Sequence, residues 1–354
     1  MSDQSDVLIV GGSVAGAALA IHLGRAGVRT IVCDKARFPR RKACGEGLLP
    51  HGAAELKSLG FGDPPGTRVR GLRYFSPSGA SASATFESAG LGPGWVVHRD
   101  EFDAWLLDRA RETPNVRVRE STAATAEARA TVVAGADGLH SIFHGTAFRR
   151  THPRRTRVGV SAVVRGYPAG DTVDIHLGAG GEAYVGPAGP DETSLALLLE
   201  KGVTPEEFLS GLPALRNVEI VRPFIGAGPL GSVVSPIVRA NVLLIGDAAG
   251  AVDPIAGEGM SLALLSARIA AEAIVEAVET GDEGVLQRYA EARRELMAPA
   301  RRVAALLLSA SRFPWLAERA VRKLARDGAS FRRLLRAACG AGRLGLLEPA
   351  RLVL

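Results

Sequence analysis

Three short segments of the sequence combine glycine with aspartate in a pattern that suits nucleotide binding. They span residues 7–16, 135–141 and 246–259. Glycine allows a phosphate or a ring to approach the main chain closely, and a carboxylate accepts hydrogen bonds from sugar hydroxyls. One such turn would be weak evidence, but three of them, far apart in the chain, predict a site for one large dinucleotide cofactor.

The first segment has the order strand, glycine-rich turn, helix and second strand. The apolar run 7–10 predicts a buried parallel strand, an apolar helical pattern reaches residue 26, and a β-branched strand at 30–32 ends at Asp34. The helix start offers free N–H groups and the positive end of its dipole to a pyrophosphate. The predicted cofactor contacts here are Gly11, Ser13, Val14, Ala15, Gly16, Asp34 and Lys35.

Two residues of this βαβ unit determine which cofactor it is expected to bind. Asp34 stands where an acidic residue accepts hydrogen bonds from the adenosine ribose, which favours FAD or NAD over a cofactor with a 2′-phosphate. Ser13 replaces the middle glycine of the G-x-G-x-x-G pattern, so its side chain narrows the approach of a phosphate while its hydroxyl can donate to that phosphate. The alternative is a βαβ unit that binds no nucleotide.

The other two segments each follow a short buried strand. In 135–141, Asp137 comes before an expected helix and is predicted to touch a ribose or a phosphate, with a plain strand–turn–helix connection as the alternative. In 246–259, Asp247 closes the strand 242–245, and a helix is predicted from near Gly259 to about residue 278, with its positive end toward the cofactor. The predicted contacts of this third segment are Gly246, Asp247, Pro254, Gly257, Gly259 and Met260.

Together these segments resemble the FAD-dependent monooxygenase superfamily of the para-hydroxybenzoate hydroxylase fold, which also contains geranylgeranyl reductases and flavin halogenases. The resemblance covers about residues 1–50, 97–145 and 240–280. It implies FAD as cofactor, NAD(P)H as a transient electron donor, and a contact between FAD and Arg99, which begins a helix that also carries Phe102, Asp103 and Leu106. The stretch 42–47, Lys-Ala-Cys-Gly-Glu-Gly, resembles the geranylgeranyl reductase branch, in which a cysteine lies in a loop near the flavin. Lys42 is then a further predicted cofactor contact.

The same loop region carries the candidate catalytic residues. Cys44 is predicted to shape the substrate site or to give a proton, with a small buried filler as the alternative. Glu46 and His51 are candidate acids or bases. The aromatic box Tyr-x-Trp-x-Phe-Pro of geranylgeranyl reductases is reduced to Tyr184 within residues 183–187, which argues against a long polyprenyl substrate.

Three functions are compatible with these residues. The preferred interpretation is an NAD(P)H-dependent monooxygenase that hydroxylates an apolar aromatic or polyketide-like small molecule through a flavin C4a-hydroperoxide. The first alternative is a flavoenzyme similar to geranylgeranyl reductase that reduces C=C bonds of an isoprenoid or other lipid-like substrate. The second alternative is a flavin-binding partner protein without turnover. Cys44 and the basic tail favour the reductase, and the reduced aromatic box counts against it.

The predicted fold class is α/β, with a discontinuous Rossmann-like FAD-binding domain, an inserted β-sheet substrate domain and a C-terminal helical region. The FAD-binding domain is assigned to residues 1–67, 98–150 and 238–285, the substrate domain to 68–97 and 151–237, and the helical region to 286–354. Strand-like alternation in the substrate domain occurs at 68–76, 82–87, 157–165, 172–177, 183–185 and 194–199.

Composition and charge limit the cellular location and the partners that are expected. The 354 residues carry a net charge of +6 and only three cysteines, and neither a leader, a membrane span, a metal site nor nucleic-acid binding is predicted; a cytoplasmic location is expected. Residues 293–354 hold 14 Lys/Arg and 4 Asp/Glu. This basic tail predicts contact with a membrane surface or an acidic carrier protein, with an ordinary solvated face as the alternative. The arginine cluster at 149–157 suggests contact with NAD(P)H phosphates or a carrier, or else a solvated loop.

Overall fold

A computed structural model describes residues 5–127 and 129–342 of the chain. Residues 343–354, the end of the predicted helical region and basic tail, lie outside the described residues, as do 1–4 and 128. Within the described ranges the strands are β1 Val7–Val10, β2 Thr30–Cys33, β3 Gly47–Leu48, β4 Thr67–Val69, β5 Gly71–Phe75, β6 Ser81–Thr85, β7 Gly94–Val96, β8 Val116–Arg119, β9 Val132–Gly135, β10 Arg149–Thr151, β11 Arg157–Arg165, β12 Thr172–Gly178, β13 Gly181–Pro187, β14 Thr193–Glu200, β15 Glu219–Ala227, β16 Val233–Ser235, β17 Val238–Arg239 and β18 Val242–Leu244. The helices in the same ranges are α1 Val14–Arg25, α2 Pro50–Ser58, α3 Arg99–Glu112, α4 Pro205–Ser210, α5 Gly259–Thr280, α6 Gln287–Ser311, α7 Pro314–Arg326 and α8 Gly328–Ala338.

A six-stranded sheet carries all three glycine-containing segments. Its strand order is β17-β18-β9-β1-β2-β8, and every pair except β17–β18 is parallel. The segments that follow β1, β9 and β18 therefore leave the same edge of the sheet side by side, although they are far apart in the sequence. This arrangement confirms the predicted discontinuous Rossmann-like fold.

The turn between β1 and α1 is packed so tightly that two of its glycines are required. Gly11 has a φ of +106°, and a Cβ there would lie 2.5 Å from the Ala136 carbonyl oxygen. A Cβ on Gly16 would lie 1.8 Å from the Gly11 carbonyl oxygen. Helix α1 can therefore begin close to its strand only because both positions lack a side chain. The helix is then buried against α3 and α5 in the core cluster that covers this sheet.

A seven-stranded sheet faces the loops of the first. Its order is β15-β11-β14-β13-β12-β5-β6, with antiparallel pairs except for β12–β5. Ser161 opposes Ala196, and Ala196 opposes Tyr184, so these three side chains share one face of the sheet. The Tyr184 hydroxyl donates to the Ile255 carbonyl oxygen at 2.7 Å, which shows that this face meets the loop before α5.

Three of the differences between the structure and the sequence-based predictions have a clear physical reason. The predicted strand 68–76 is two strands, because β4 pairs with β7 whereas β5 pairs with β12. No helix follows β9 within residues 136–148, where the chain turns through Gly138 and Gly145, both with φ +83°. Strand β15 is not predicted by its sequence, since Pro223 interrupts the pattern and most of its residues are only half-buried.

Helices α6, α7 and α8 confirm the predicted C-terminal helical region within the described residues. Their buried apolar side chains, such as Val303, Val321 and Phe331, form one cluster with Val69 on β4 and with Phe86, which follows the edge strand β6 of the seven-stranded sheet. Among the residues that the structure describes, the helices are too short or too polar to cross a membrane. The exact domain boundaries given above stay a prediction.

Candidate active site

The N-terminus of α1 is prepared for an anion by the main chain. Ser13 is the N-cap residue, its side chain makes no capping hydrogen bond, and no acidic residue occupies the first turn. The N–H groups at Val14 and Ala15 therefore keep the positive end of the helix dipole available for a pyrophosphate. The Ser13 hydroxyl donates to Asp103 Oδ2 at 2.7 Å, and its contact with a phosphate stays a prediction.

Arg99 and Asp103 form a buried ion pair directly behind that turn. The side chains are 6% and 0% exposed, and Arg99 donates from Nε to Asp103 Oδ1 at 2.8 Å and from Nη2 to Oδ2 at 2.9 Å. Arg99 Nη2 also donates to the Ser13 hydroxyl at 3.0 Å. Burial disfavours the charge of Asp103, but the adjacent Arg99 guanidinium outweighs it and lowers the pKa of that carboxyl. Arg99 thus holds the β1–α1 turn in place through the Ser13 hydroxyl, and its contact with FAD stays a prediction.

Asp34 fixes the turn from the other side. Its Oδ2 accepts the Gly12 N–H and its Oδ1 accepts the Ala36 N–H, both at 2.8 Å, and the residue is 8% exposed. Each carboxylate oxygen retains a second lone pair, which is what the predicted hydrogen bond from the adenosine ribose needs. The neighbouring Lys35 is exposed.

Asp137, Asp247 and Lys42 surround the space beyond the ends of β9 and β18. Asp137 Oδ2 accepts the Ile142 N–H at 2.8 Å, whereas Oδ1 is buried and has no partner among the described residues. Lys42 Nζ lies 3.6 Å from the position of a Cβ on Gly138. Burial and the charge of Arg99 lower the pKa of Lys42, and Asp247 opposes this effect. The unpartnered Asp137 oxygen suits a hydroxyl of FAD, and the Lys42 ammonium near Gly138 suits a phosphate.

The start of α5 is open on the side where a ring would approach. Gly257, with φ +71°, and Gly259 would each place a Cβ in free space, with no atom within 4 Å. Pro254 opens the short 3-10 turn before them, and Met260 is buried just after. The free N–H groups at this helix start would stabilise negative charge on a reduced flavin.

Glu258 is a functional candidate that the sequence analysis missed. It lies between these two glycines, is 6% exposed, and its Oε1 has no partner among the described residues. Burial raises the pKa of Glu258 to about 8. A carboxyl group flanked by glycines at a predicted helix start was the available signal, although its burial depends on distant parts of the chain.

The Cys44 loop lies between the two sheets. The Cys44 N–H donates to the Ser161 hydroxyl on β11 at 3.3 Å, and the Glu46 N–H donates to Cys44 Sγ at 3.3 Å. The Arg99 guanidinium also interacts electrostatically with Cys44. The thiol therefore borders the buried ion pair and the face of the seven-stranded sheet that carries Ser161.

The other two catalytic candidates have different roles. Glu46 caps helix α3, since its Oε1 accepts the Arg99 N–H at 3.1 Å and its Oε2 lies 3.2 Å from His98 Nδ1. This carboxylate raises the pKa of His98. Burial lowers the pKa of His51 to about 4, so its ring is neutral near pH 7 and is a poor proton donor.

Arg157 corrects the prediction of a solvated arginine cluster. It is 8% exposed, and it donates to Glu182 and to Asp253. The contact ties β11 of the seven-stranded sheet to the loop that leads into α5. No group of three or more His, Cys, Asp or Glu within 5–127 and 129–342 is placed to hold a metal ion.

Comparisons with known proteins agree with this geometry. The family described as FAD binding domain matches residues 4–62 and 225–304. A menaquinone reductase of Mycolicibacterium smegmatis is 31% identical over 321 residues, which cover 77% of this chain and 76% of that protein. A digeranylgeranylglycerophospholipid reductase of Methanothermobacter thermautotrophicus is 27% identical over 319 residues, covering 80% of each chain. A flavin-dependent brominase shares the fold, with a TM-score of 0.81, 20% identity and coverage of 99% of this chain and 97% of that one.

A parallel sheet with three converging glycine–aspartate segments and a second sheet above them defines an FAD-dependent oxidoreductase. The chain belongs to the FAD-binding oxidoreductase family of these relatives, near the geranylgeranyl reductase branch of the para-hydroxybenzoate hydroxylase fold. The predictions of FAD as cofactor and of an oxidoreductase are confirmed. Hydroxylation and the use of NAD(P)H stay predictions.

The Asp247→Ala variant should bind FAD more weakly. Loss of a charged acceptor near the predicted ribityl or pyrophosphate contact should raise the Kd by about 10- to 100-fold, measured by fluorescence titration of the apoprotein with FAD. The exposed Asp63 provides a matched control, and Asp63→Ala should bind as the wild type does. Equal affinity in the wild type and Asp247→Ala would remove this residue from the site.

Glu258 should make stability depend on pH. From about pH 4.5 to about pH 8 the unfolded chain releases this proton while the folded chain keeps it. The stabilisation is therefore complete at low pH and declines as pH rises, by about 1.4 kcal/mol per pH unit. The free energy of unfolding in urea should be measured for the FAD-loaded wild type and Glu258→Gln over this pH range. The difference between the two values should decline with pH at this rate. Glu279→Gln, at an exposed position, should show no such decline, and a difference for Glu258→Gln that does not vary with pH would contradict the assignment.

Proposed function

We propose that this protein reduces a C=C bond of an isoprenoid or other lipid-like substrate, with NAD(P)H as the source of electrons and Cys44 as the proton donor. Two observations support the proposal. The relatives described above are named reductases. The Cys44 loop lies between Arg99, a predicted FAD contact, and Ser161 of the seven-stranded sheet. The position of Cys44 carries the proposal, because hydroxylation needs no thiol there.

Reduction of an alkene requires two electrons and two protons. When bound, reduced FAD supplies both electrons and one proton to the first alkene carbon. Cys44 gives the second proton to the other carbon, so the π bond is replaced by two C–H bonds and the sulfur is left as a thiolate. The Glu46 N–H and the Arg99 guanidinium both contact Cys44 and would stabilise that negative charge.

The substrate would lie against the face of the seven-stranded sheet that carries Ser161, Ala196 and Tyr184. Next to this face is an apolar cluster of Leu198, Leu230, Ile255 and Ala304, with Leu307 and Leu308 of α6 packed against it. Such a lining suits a hydrocarbon and excludes water from the reacting carbon atoms. Because Tyr184 is the one aromatic residue left of the predicted box, the substrate class is kept at isoprenoid or other lipid-like.

An enzyme with a lipid-like substrate benefits from binding to a membrane surface, and the residues at the start of α7 suit such binding. Phe313 is 43% and Trp315 is 64% exposed, and their rings are stacked with centroids 6.3 Å apart. The Arg312 guanidinium lies 5.1 Å from the centre of the Phe313 ring. Helix α7 carries four Lys/Arg and one Glu. Exposed aromatic rings beside positive charge are typical of surfaces that rest on anionic lipid, and we propose this role here.

The Cys44→Ala variant should lose alkene reduction but keep its flavin. We expect at least about a hundredfold lower kcat in anaerobic turnover of menaquinone, since general acid catalysis typically contributes about 10²–10⁴-fold. FAD content should be unchanged, and Cys33→Ala, which alters a buried cysteine on β2, should retain activity.

Two outcomes would count against the reductase. Cys44→Ala with wild-type turnover would remove the thiol from the reaction. Oxygen consumption that rises with a phenolic ligand, in the absence of any anaerobic alkene reduction, would favour hydroxylation instead.

The Trp315→Ser variant should bind anionic vesicles more weakly. Removing the exposed indole should lower the fraction that sediments with phosphatidylcholine vesicles containing phosphatidylglycerol, by about threefold or more. This estimate follows from about 25 cal/mol per Å² of apolar surface. Val233→Ser alters a residue that is 55% exposed on β16 and should have no effect. Equal sedimentation of wild type and Trp315→Ser would place the membrane contact elsewhere.

A further inference from the structure

A cleft opens between the Cys44 loop region and the seven-stranded sheet. We infer that this cleft binds the phosphate of a second ligand, either the diphosphate of the nicotinamide electron donor or the phosphate of a lipid substrate. The inference rests on the proposed function for the identity of these two sources. The evidence for an anion site comes from the cleft itself.

One wall of the cleft is strongly positive. Arg41, Lys42 and His98 come from the FAD-binding part, and Arg222 comes from β15 of the seven-stranded sheet. Two carboxylates, Glu46 and Asp100, also line it. These are already engaged, since Glu46 caps α3 beside His98, and Asp100 Oδ2 lies 3.1 Å from Arg222 Nη1.

Arg41 and Lys42 provide the excess of positive charge. Neither makes an ion pair with any residue in 5–127 or 129–342 at 4.0 Å or less. Arg41 donates from Nη2 to the Pro223 carbonyl oxygen at 2.8 Å, which holds its guanidinium across the cleft and leaves its other N–H groups for a ligand. The pKa of Lys42 is lowered by burial and by the charge of Arg99, and a bound anion would relieve both effects.

The cleft also has apolar lining from the seven-stranded sheet. Ala162, Val163 and Ile225 line it, so a ring or a chain attached to the phosphate would have apolar surface to pack on. Ser161 also lines the cleft, and its hydroxyl accepts the Cys44 N–H at 3.3 Å. A ligand held here by its phosphate would therefore reach the side of the loop that carries Cys44.

The anion site is tested by direct binding to the FAD-loaded protein. Calorimetric titration with inorganic pyrophosphate should show a Kd that rises about tenfold in Arg41→Gln and in Arg222→Gln, because each removes a charged donor. Arg222→Lys should restore part of the affinity. Arg165→Gln is the control, since Arg165 forms a comparable exposed ion pair with Glu192 on the same sheet. Wild-type FAD absorbance and Tm in each variant would show that the fold is intact.

The source of the phosphate is then resolved by kinetics. If the electron donor docks here, both glutamine variants slow anaerobic flavin bleaching by NADPH, while dithionite-driven turnover keeps the wild-type rate. If the substrate docks here, bleaching is unchanged and dithionite-driven reduction of a digeranylgeranyl phospholipid slows, while that of menaquinone does not.

Pyrophosphate that fails to bind, or that binds equally to wild type and both glutamine variants, would overturn the inference. The titration involves no alkene. A protein that binds pyrophosphate in this cleft but reduces no C=C bond would therefore support the anion site and contradict the proposed function. A protein that reduces the C=C bond but binds no pyrophosphate would support the proposed function and contradict the anion site.

Discussion

The buried ion pair between Arg99 and Asp103 is the interaction on which the site depends. Three neighbouring groups interact with this pair. The Ser13 hydroxyl of the β1–α1 turn donates to Asp103, and the Cys44 thiol interacts with Arg99. The Arg40 guanidinium lies 3.6 Å from Asp103. A buried pair is costly unless its remaining hydrogen-bonding groups are satisfied. The Ser13 hydroxyl satisfies both partners at once, accepting from Arg99 and donating to Asp103. The ion pair thus gives a structural reason for a serine instead of a glycine at position 13.

The same pair couples the cofactor site to the substrate site. Arg99 is the first residue of α3, and the Glu46 carboxylate that caps this helix belongs to the loop that holds Cys44. A second connection runs from Arg157 on β11 to Asp253, which lies just before the start of α5. The two sheets are therefore joined by the Arg157–Asp253 ion pair and by the hydrogen bond from the Cys44 N–H to the Ser161 hydroxyl. Such contacts hold reacting groups in a fixed geometry, which is the main contribution that a protein makes to cofactor chemistry.

Much of the cofactor site could be predicted because its signals are local. Gly11, Gly16 and Asp34 are specified by the turn that they form, and the parallel sheet brings the Asp137 and Asp247 segments beside it. What could not be predicted depends on contacts between distant segments. Glu46 reads as a free carboxylate in the sequence, but it is a helix cap because residues 98 and 99 fold against it. Arg157 reads as part of a solvated cluster, but Glu182 and Asp253 approach it only in the folded chain. No periodicity in the sequence reports such pairings.

The distribution of charge around the site explains how one small region can handle several anions. Several carboxylates of the site are bonded to nearby groups, with Asp34 bonded to main-chain N–H groups and Asp103 to Arg99. Asp137 keeps one oxygen without a partner among the described residues, and Asp247 acts on Lys42. The helix starts of α1 and α5, together with Arg41 and Lys42, supply positive potential beside these groups. Because electrostatic interactions are strong where water is excluded, this positive potential favours a pyrophosphate, a reduced flavin and a second phosphate at the same time. The net charge of the chain is only +6, so the preference for anions arises from where these groups are placed and not from composition.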